Sequence, residues 1–431
     1  MNKLFHKDFT LMILGQVISI FGNSILRFTI SLYVLDLTGS AGIFAGILAI
    51  SLLPTILLSP IGGMVSDRIS RKHIMVVLDT ITACLIFGFT LFLSSSYIVT
   101  LIGVFMILLS LIQSFYQPSV QASIPSITDK QHLVAANSIV VQINALANLA
   151  GPILGGLLYG FFPIELILRI SSLCFACSAI LEIFLHIPFI RQPRTSSMTK
   201  TILSDFKEAG SFIIYKNPAI FKMLLLLAGL NLFLTAMLQI GLPYIIKIQL
   251  GLSSQLYGFA ESSMAIGMII GSLYAAKNTS WLTINNSHRY LLFGSLAMLP
   301  IGLSVFSLSY ALVSYGIIVI AILAGMSFIA IFNVIAQAFL QEQTPAHLLG
   351  KVSSYVMTLT MCAVPLGQAF YGICFDLFSS YSAWIVIMAC CASMLLARYA
   401  KRVISTLSVD KEVCHLEDDQ VSYDISTLYS E

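Results

Sequence analysis

Charge is what this sequence is shortest of. Only 10% of its 431 residues are Asp, Glu, Lys or Arg, against about a quarter in an ordinary soluble domain. With 58% hydrophobic residues, a water-soluble fold has nowhere to put so much apolar surface, so the solvent of this chain is lipid. Histidine is scarce as well, no His-x-x-x-His occurs, and no two acids adjoin before the C-terminal tail. That leaves none of the carboxylate or histidine clusters with which membrane enzymes hold metals or diphosphates. A G-x-x-x-x-G-K-[ST] loop is missing, which excludes ATP hydrolysis by a P-loop. No long hydrophilic stretch is available for an appended sensor domain. The formal net charge of +3 gives no reason to expect a nucleic-acid partner.

What is there is a series of apolar runs. A helical span takes about 20 apolar residues, and longer runs can tilt. Twelve runs qualify: 9–35, 41–65, 73–94, 98–126, 133–160, 165–188, 219–246, 255–276, 289–309, 311–341, 348–375 and 380–400. Barrel strands are half as long and alternate in polarity, so the expected class is an all-α integral membrane protein with twelve transmembrane helices. The basic head Met1–Asp8 precedes a run that continues to Leu35, too long for a signal-peptide core, and is read as the start of the first span. Seven of the eight cysteines lie inside apolar runs and are read as small packing residues, the Cys174/Cys177 pair included.

The few charges fix the topology. With the N-terminus in the cytoplasm, every lysine and arginine except Arg27, Arg169 and Lys247 falls in or beside an inner connection, as the positive-inside rule requires. Both termini are therefore expected in the cytoplasm of a multi-pass plasma-membrane protein. The chain divides into an N-terminal six-helix bundle (1–190), a linker (191–218), a C-terminal six-helix bundle (219–403) and an acidic tail (404–431). Ile202, Phe206, Ala209 and Ile213 share one helical face of the linker, which reads as a short helix lying on the inner membrane surface. The two bundles repeat each other. Gln121-Ala122 recurs as Gln337-Ala338, and Ala150-Gly151-Pro152 with Gly155 and Tyr159-Gly160 recurs as Ala363-Val364-Pro365 with Gly367 and Tyr371-Gly372, at offsets of 212 to 216 residues. A near-constant offset across two spans points to internal duplication.

The turn after the second span reads G-x-x-x-D-R-x-x-R-K, with Gly63, Asp67, Arg68, Arg71 and Lys72. With twelve spans and a central break, this resembles the major facilitator superfamily over about residues 8–403. The resemblance implies two rocking six-helix bundles, with Asp67 as a latch carboxylate at the cytoplasmic face and Arg68, Arg71 and Lys72 as its partners. Ser70 stands where the family usually has glycine, and the second-half counterpart Gly271–Lys277 lacks an acid. In the fifth span Gly151-Pro152-Ile153-Leu154-Gly155-Gly156 is similar to the family's antiporter motif. Its glycines admit a neighbouring helix and its proline permits a bend. Residues Gly15-Gln16, Ser19 and Gly22-Asn23 within the first span and the end of the fourth (Gln113 to Pro125) look like the macrolide-efflux and siderophore-exporter branch, and the family's usual fourth-span arginine is missing.

Charges inside spans cost about 2.5–3.5 kcal/mol each. Arg27 and Glu261 lie at similar depth on helices that line the cavity in this fold. Glu261 is expected to carry a proton or to contact a cationic substrate group, with Arg27 as its partner or an anion contact; a static ion pair between two helices is the competing account. Asp79 is expected to pair with the basic turn and Glu182 to reach the membrane interface or pair with a neighbour. Asn23, Gln113, Gln117, Asn231, Asn333 and Gln337 are candidate cavity residues, together with Gln16, Gln142, Asn144, Asn148, Gln239 and Gln368. The aromatics Phe115, Tyr116, Phe233, Phe328 and Phe332 are interleaved with them. Amides and aromatics with few fixed charges fit a bulky amphipathic compound. The expectation is a monomeric secondary transporter without cofactor that exports such a compound by alternating access, in exchange for protons. Export of a siderophore or other metabolite, and uptake by symport, are the alternatives.

Overall fold

The computed structural model describes residues 5–188, 198–278, 282–306, 310–345 and 348–402. The acidic tail, the first part of the linker and the side chain of Asp67 lie outside the described residues. Every element among those residues is a helix. The first half comprises α1 (Lys7–Thr38), α2 (Ala41–Arg68), α3 (Arg71–Thr90), α4 (Ile98–Ile127), α5 (Leu133–Phe161) and α6 (Ile164–Ile183). The linker helix α7 (Met198–Ser211) follows. The second half comprises α8 (Pro218–Gln249), α9 (Ser254–Lys277), α10 (Ile284–Ala297), α11 (Leu299–Val305), α12 (Ala311–Glu342), α13 (Leu349–Leu377) and α14 (Ser379–Arg402).

Eleven of these helices are long and apolar enough to cross a membrane. The run expected at 289–309 is the shorter pair α10 and α11, divided at Met298 just ahead of Pro300. Proline there removes a backbone donor and starts a new helix at its first turn. The corresponding turns of the two halves are built alike. α1 ends at Gly39 with φ 62° and α8 is followed by Gly251 with φ 64°, the left-handed stop that glycine reaches without a Cβ penalty. The next helix then starts on a serine cap in each half: Ser40 accepts from the Ile43 amide and Ser253 from the Leu256 amide. The Ile69-Ser70 turn needs no such residue. Its backbone stays at negative φ, so serine fits where glycine was expected.

Within the first half α2 packs on α4, α3 on α4 and α6, and α1 on α5 and α6. Gly62 is the close approach on α2: a Cβ there would meet the Ser114 carbonyl of α4, whereas Gly63 faces open space. α7 and the turn that follows it pack on the second half. Ala209 and Ile213 are fully buried, Phe206 packs on Tyr355 of α13 at 5.5 Å, and Glu208 pairs with Lys351 at 2.7 Å. All seven described cysteines are free.

Two antiparallel helix pairs join the halves: α2 with α13, and α5 with α9. The end of the molecule that carries the 62–72 turn is called the basic end below.

Candidate functional site

Between the halves lies a cavity of about 570 Å³, within the range of small-molecule sites. Its lining comes from α1, α2, α4 and α5 on one side and α8, α9 and α13 on the other. Of the expected residues, Asn23, Arg27, Gln113, Gln117, Glu261, Asn144, Asn148, Gln239, Gln368 and Pro152 are there. Asn231 is not: it stands in a wide π turn of α8 and donates to the Thr360 carbonyl of α13 at 3.0 Å, where it ties two helices. Asn333 and Gln337 are exposed on the half of α12 toward the basic end and line no part of the cavity. The aromatic lining is Phe28, Phe44 and Tyr257 rather than the five rings picked from sequence. Phe28 and Tyr257 stack across the two halves at 5.1 Å and 10°.

Arg27 and Glu261 share the cavity but do not pair. Arg27 donates through Nε to Asn23 Oδ1 at 3.1 Å and through Nη2 to Ser110 Oγ at 3.0 Å. Glu261 has the Tyr257 hydroxyl, one turn earlier on α9, as its hydrogen-bonding neighbour, and its Oε2 has no partner. The expected static ion pair is therefore absent, and both charges present themselves to whatever occupies the cavity. Gln368 donates to Gln239 Oε1 at 2.8 Å, which leaves its own Oε1 unpartnered. The site is thus amide-rich, with one cation and one acid held apart.

The end opposite the basic end is clamped. Asp376, at the last turn of α13, accepts from Ser40 Oγ at 2.6 Å, from the Ala41 amide at 2.8 Å and from the Gly42 amide at 3.0 Å. A carboxylate there meets the free donors and the positive end of the α2 dipole. Lys247 of α8 pairs with Asp36 of α1 at 3.2 Å and donates to Ser254 Oγ at 2.8 Å. The motif glycines lie on the same side. Gly151 faces Ser24 and Gly155 faces Phe28, while Gly156 meets Gly258 and the Ser254 carbonyl of α9. Ser262 adds a bond to the Leu149 carbonyl at 2.7 Å. Among the described residues, the hydrogen bonds, ion pair and ring contact that join the halves all lie at this end or at mid-depth.

At the basic end Arg71 turns into its own half, donating to the Ala122 carbonyl at 2.7 Å, Ser126 Oγ at 2.5 Å and the Ser66 carbonyl at 3.2 Å. Arg68 is exposed. Sequence reasoning missed Asp376, Asp36 and Lys247. Each sits at a span end, where a charge looks like ordinary interface anchoring, although Lys247 was one of three exceptions to the charge rule.

Two further expectations are corrected. Asp79 does not pair with the basic turn: it is 2% exposed and accepts from Ser19 Oγ of α1 at 2.7 Å. Glu182 pairs with a neighbour, the second of its two expected places: it is 0% exposed and accepts from the Tyr116 hydroxyl of α4 at 2.7 Å. Gln16, expected in the cavity, is buried beside them and donates to the Tyr116 oxygen at 3.0 Å.

A polytopic helical protein, with two bundles around a central cavity and bonds between them at one end of it, has the form of a membrane carrier. The family model of the Major Facilitator Superfamily matches residues 12–368, and the chain belongs to that family. It is 25% identical over 357 residues to the macrolide efflux protein A of Streptococcus pyogenes, a match that covers 82% of this chain and 85% of that protein. It is 23% identical over 352 residues to the staphyloferrin A transporter of Staphylococcus aureus, covering 76% and 79%. Among solved structures, a point mutant of the nucleoside transporter NupG superposes with a TM-score of 0.68 at 16% identity, covering 92% of this chain and all of that one. A bacterial homologue of the iron transporter ferroportin in its inward-facing state gives 0.68 at 18% identity, with the same coverage. At such identities these structures define the fold alone.

Proposed function

We propose that this protein exports an amphipathic small molecule from the cytoplasm by alternating access, in exchange for protons, and that the structure is its inward-open state. The single observation that carries this reading is the cavity between the halves, clamped at the end opposite the basic turn. The positive-inside rule puts the basic end in the cytoplasm, so the clamped end faces outward. The lining supports an amphipathic substrate: Phe28, Phe44 and Tyr257 offer apolar faces, the amides of Asn23, Gln113, Gln117 and Gln239 offer adaptable hydrogen bonds, and Glu261 can meet a substrate amine. The macrolide efflux relatives favour a macrolide-like compound. Arg27 supports one second reading, an anionic siderophore, since its guanidinium faces the same cavity and one relative is a staphyloferrin A transporter.

The test is accumulation of a macrolide in a pump-deficient host that expresses the protein, with and without an uncoupler. Expression should lower accumulation several-fold, and the uncoupler should erase the difference. Equal accumulation with and without the protein would remove macrolides as substrates, and a difference that survives the uncoupler would remove proton exchange.

A further inference from the structure

The first half contains a polar cluster that the cavity does not use. Four helices of one bundle supply it: Gln16 and Ser19 from α1, Asp79 from α3, Tyr116 from α4, and Ser178 and Glu182 from α6. All six are buried. The Tyr116 oxygen lies 2.7 Å from Glu182 Oε1 and 3.5 Å from Asp79 Oδ2, so one phenol bridges two carboxyls. Ser19 Oγ lies 2.7 Å from Asp79 Oδ2 and 2.8 Å from Ser178 Oγ.

Charge does not balance there if both acids are ionised. Among the described residues no lysine, arginine or histidine forms an ion pair with Asp79 or Glu182. The basic groups of the same helices lie elsewhere: Arg27 bonds Asn23 and Ser110 at the cavity, Arg71 bonds the end of α4, and Lys7, Lys72, His73 and Arg169 sit toward the helix ends. Among the described residues the only titratable side chain facing the two acids is Tyr116 itself. Two like charges in a dry interior without a counter-ion are strongly disfavoured, and a pair that close titrates as a unit. Independently of this count, two buried acceptors in the cluster are unpartnered, Glu182 Oε2 and Gln16 Oε1, each on a side chain that is 0% exposed. A carboxylate oxygen left without a donor inside a bundle is where a proton binds most favourably, because it removes a charge that nothing else compensates.

We propose that Asp79, Tyr116 and Glu182 form a proton-binding site inside the first bundle, separate from the cavity, and that this site carries the exchanged proton. The pair holds one proton in the structure seen here. When a movement of α4 shortens the 3.5 Å gap, a proton on Asp79 is donated to the Tyr116 oxygen, whose own proton is donated to Glu182. A concerted shift breaks both O–H bonds and forms two new ones, leaving Asp79 ionised, Tyr116 intact and Glu182 protonated. The proton thus crosses from α3 to α6 with no change in net charge. Tyr116 also ties the site to the substrate, because Gln113 and Gln117, one turn before it and the next residue after it on α4, line the cavity. A displacement of α4 on substrate release moves the phenol relative to both acids.

The assignment to transport rests on the proton-exchange reading above, and the experiment separates the two. Infrared spectra of the full-length protein in lipid at neutral pH should contain a protonated-carboxyl band that moves on deuteration. Glu182→Gln and Asp79→Asn should each remove it, since one ionised acid then remains. Tyr116→Phe should keep it but displace it. Glu261→Gln should leave it in place. A band that survives both acid substitutions, or the lack of one in the wild-type protein, would overturn the site. In everted vesicles, export of a macrolide should lose its pH dependence by about tenfold or more in Glu182→Gln and Asp79→Asn. If Glu261→Gln alone had that effect, the exchanged proton would belong to the cavity acid instead. Should wild-type export ignore an uncoupler, the exchange reading fails while the infrared result still decides the site.

Discussion

At one end of the α2–α13 pair, the carboxylate of Asp376 holds a hydroxyl and two amides at the start of α2. At the other end α2 runs out through Arg68, and Arg71 binds carbonyl and hydroxyl groups of its own half. The same two antiparallel helices thus carry an aspartate near the C-terminal end of each, Asp67 on α2 and Asp376 on α13, and Asp376 meets the N-terminal end of the other helix. The Asp376 end is the one at which bonds from helix to helix across this pair are seen among the described residues. The comparison teaches that closure in this fold can be written as helix capping. A carboxylate brought to a free helix start gains two or three charge-assisted bonds, and it loses them when the helices part. This suits a carrier whose two states must lie within a few kcal/mol of each other.

The comparison can be broken first at the backbone. Gly258→Val should have the largest effect, because a Cβ at Gly258 already meets the Pro152 carbonyl and the Gly156 Cα across the α5–α9 contact. Overpacking of this kind costs about 1–3 kcal/mol. The clamped end should open, and spin-label distances between Gln255 and Tyr159 should lengthen; an unchanged distribution would mean that this contact does not limit closure. Asp376→Asn should come next. It keeps the shape but gives up the charge on three bonds, and the site is exposed, so a cost of about 1–2 kcal/mol is expected. That is roughly a five- to thirtyfold shift of population away from the structure seen here, read by the same distances at the α2–α13 end.

Lys247→Met should do less. Its pair with Asp36 is only partly shielded, so about 1 kcal/mol or less is at stake, and the effect should fade at high salt. Lys351→Met, on a more exposed pair that stays within the second half and its linker, should change the distances by nothing measurable. If Lys351→Met shifted them as far as Asp376→Asn, the clamp would not be the element that sets the state. Asp67→Asn sharpens the comparison from the other side: it should leave the clamped end intact and lower occupancy of the opposite state, seen as thiol labelling of cavity positions that persists when export is running.

Much of the architecture was legible because lipid imposes it. Long apolar runs must be helices, since a bare backbone in hydrocarbon has no other partner, and this placed the spans to within a few residues. The cavity residues on α1, α4 and α5 were found for a related reason: amides and charges inside a span need a neighbour. Asn231 and Gln16 belong to the same class of signal and went elsewhere, one to a helix tie and one to the acid cluster, because polarity says that a residue has a partner and not which. Asp79 and Glu182 were visible as acids in apolar runs, but 103 positions of chain separate them, and only the packing of α3 and α6 around Tyr116 makes them a pair.

The sequence by itself determined the solvent and the helices, because each follows from local composition and the cost of polar groups in hydrocarbon. The tertiary structure alone decided which end is shut, that Arg27 and Glu261 stand apart, and that Asp376 caps the helix opposite. Those facts depend on how two rigid bundles lean on each other, and the same residues allow more than one way of leaning.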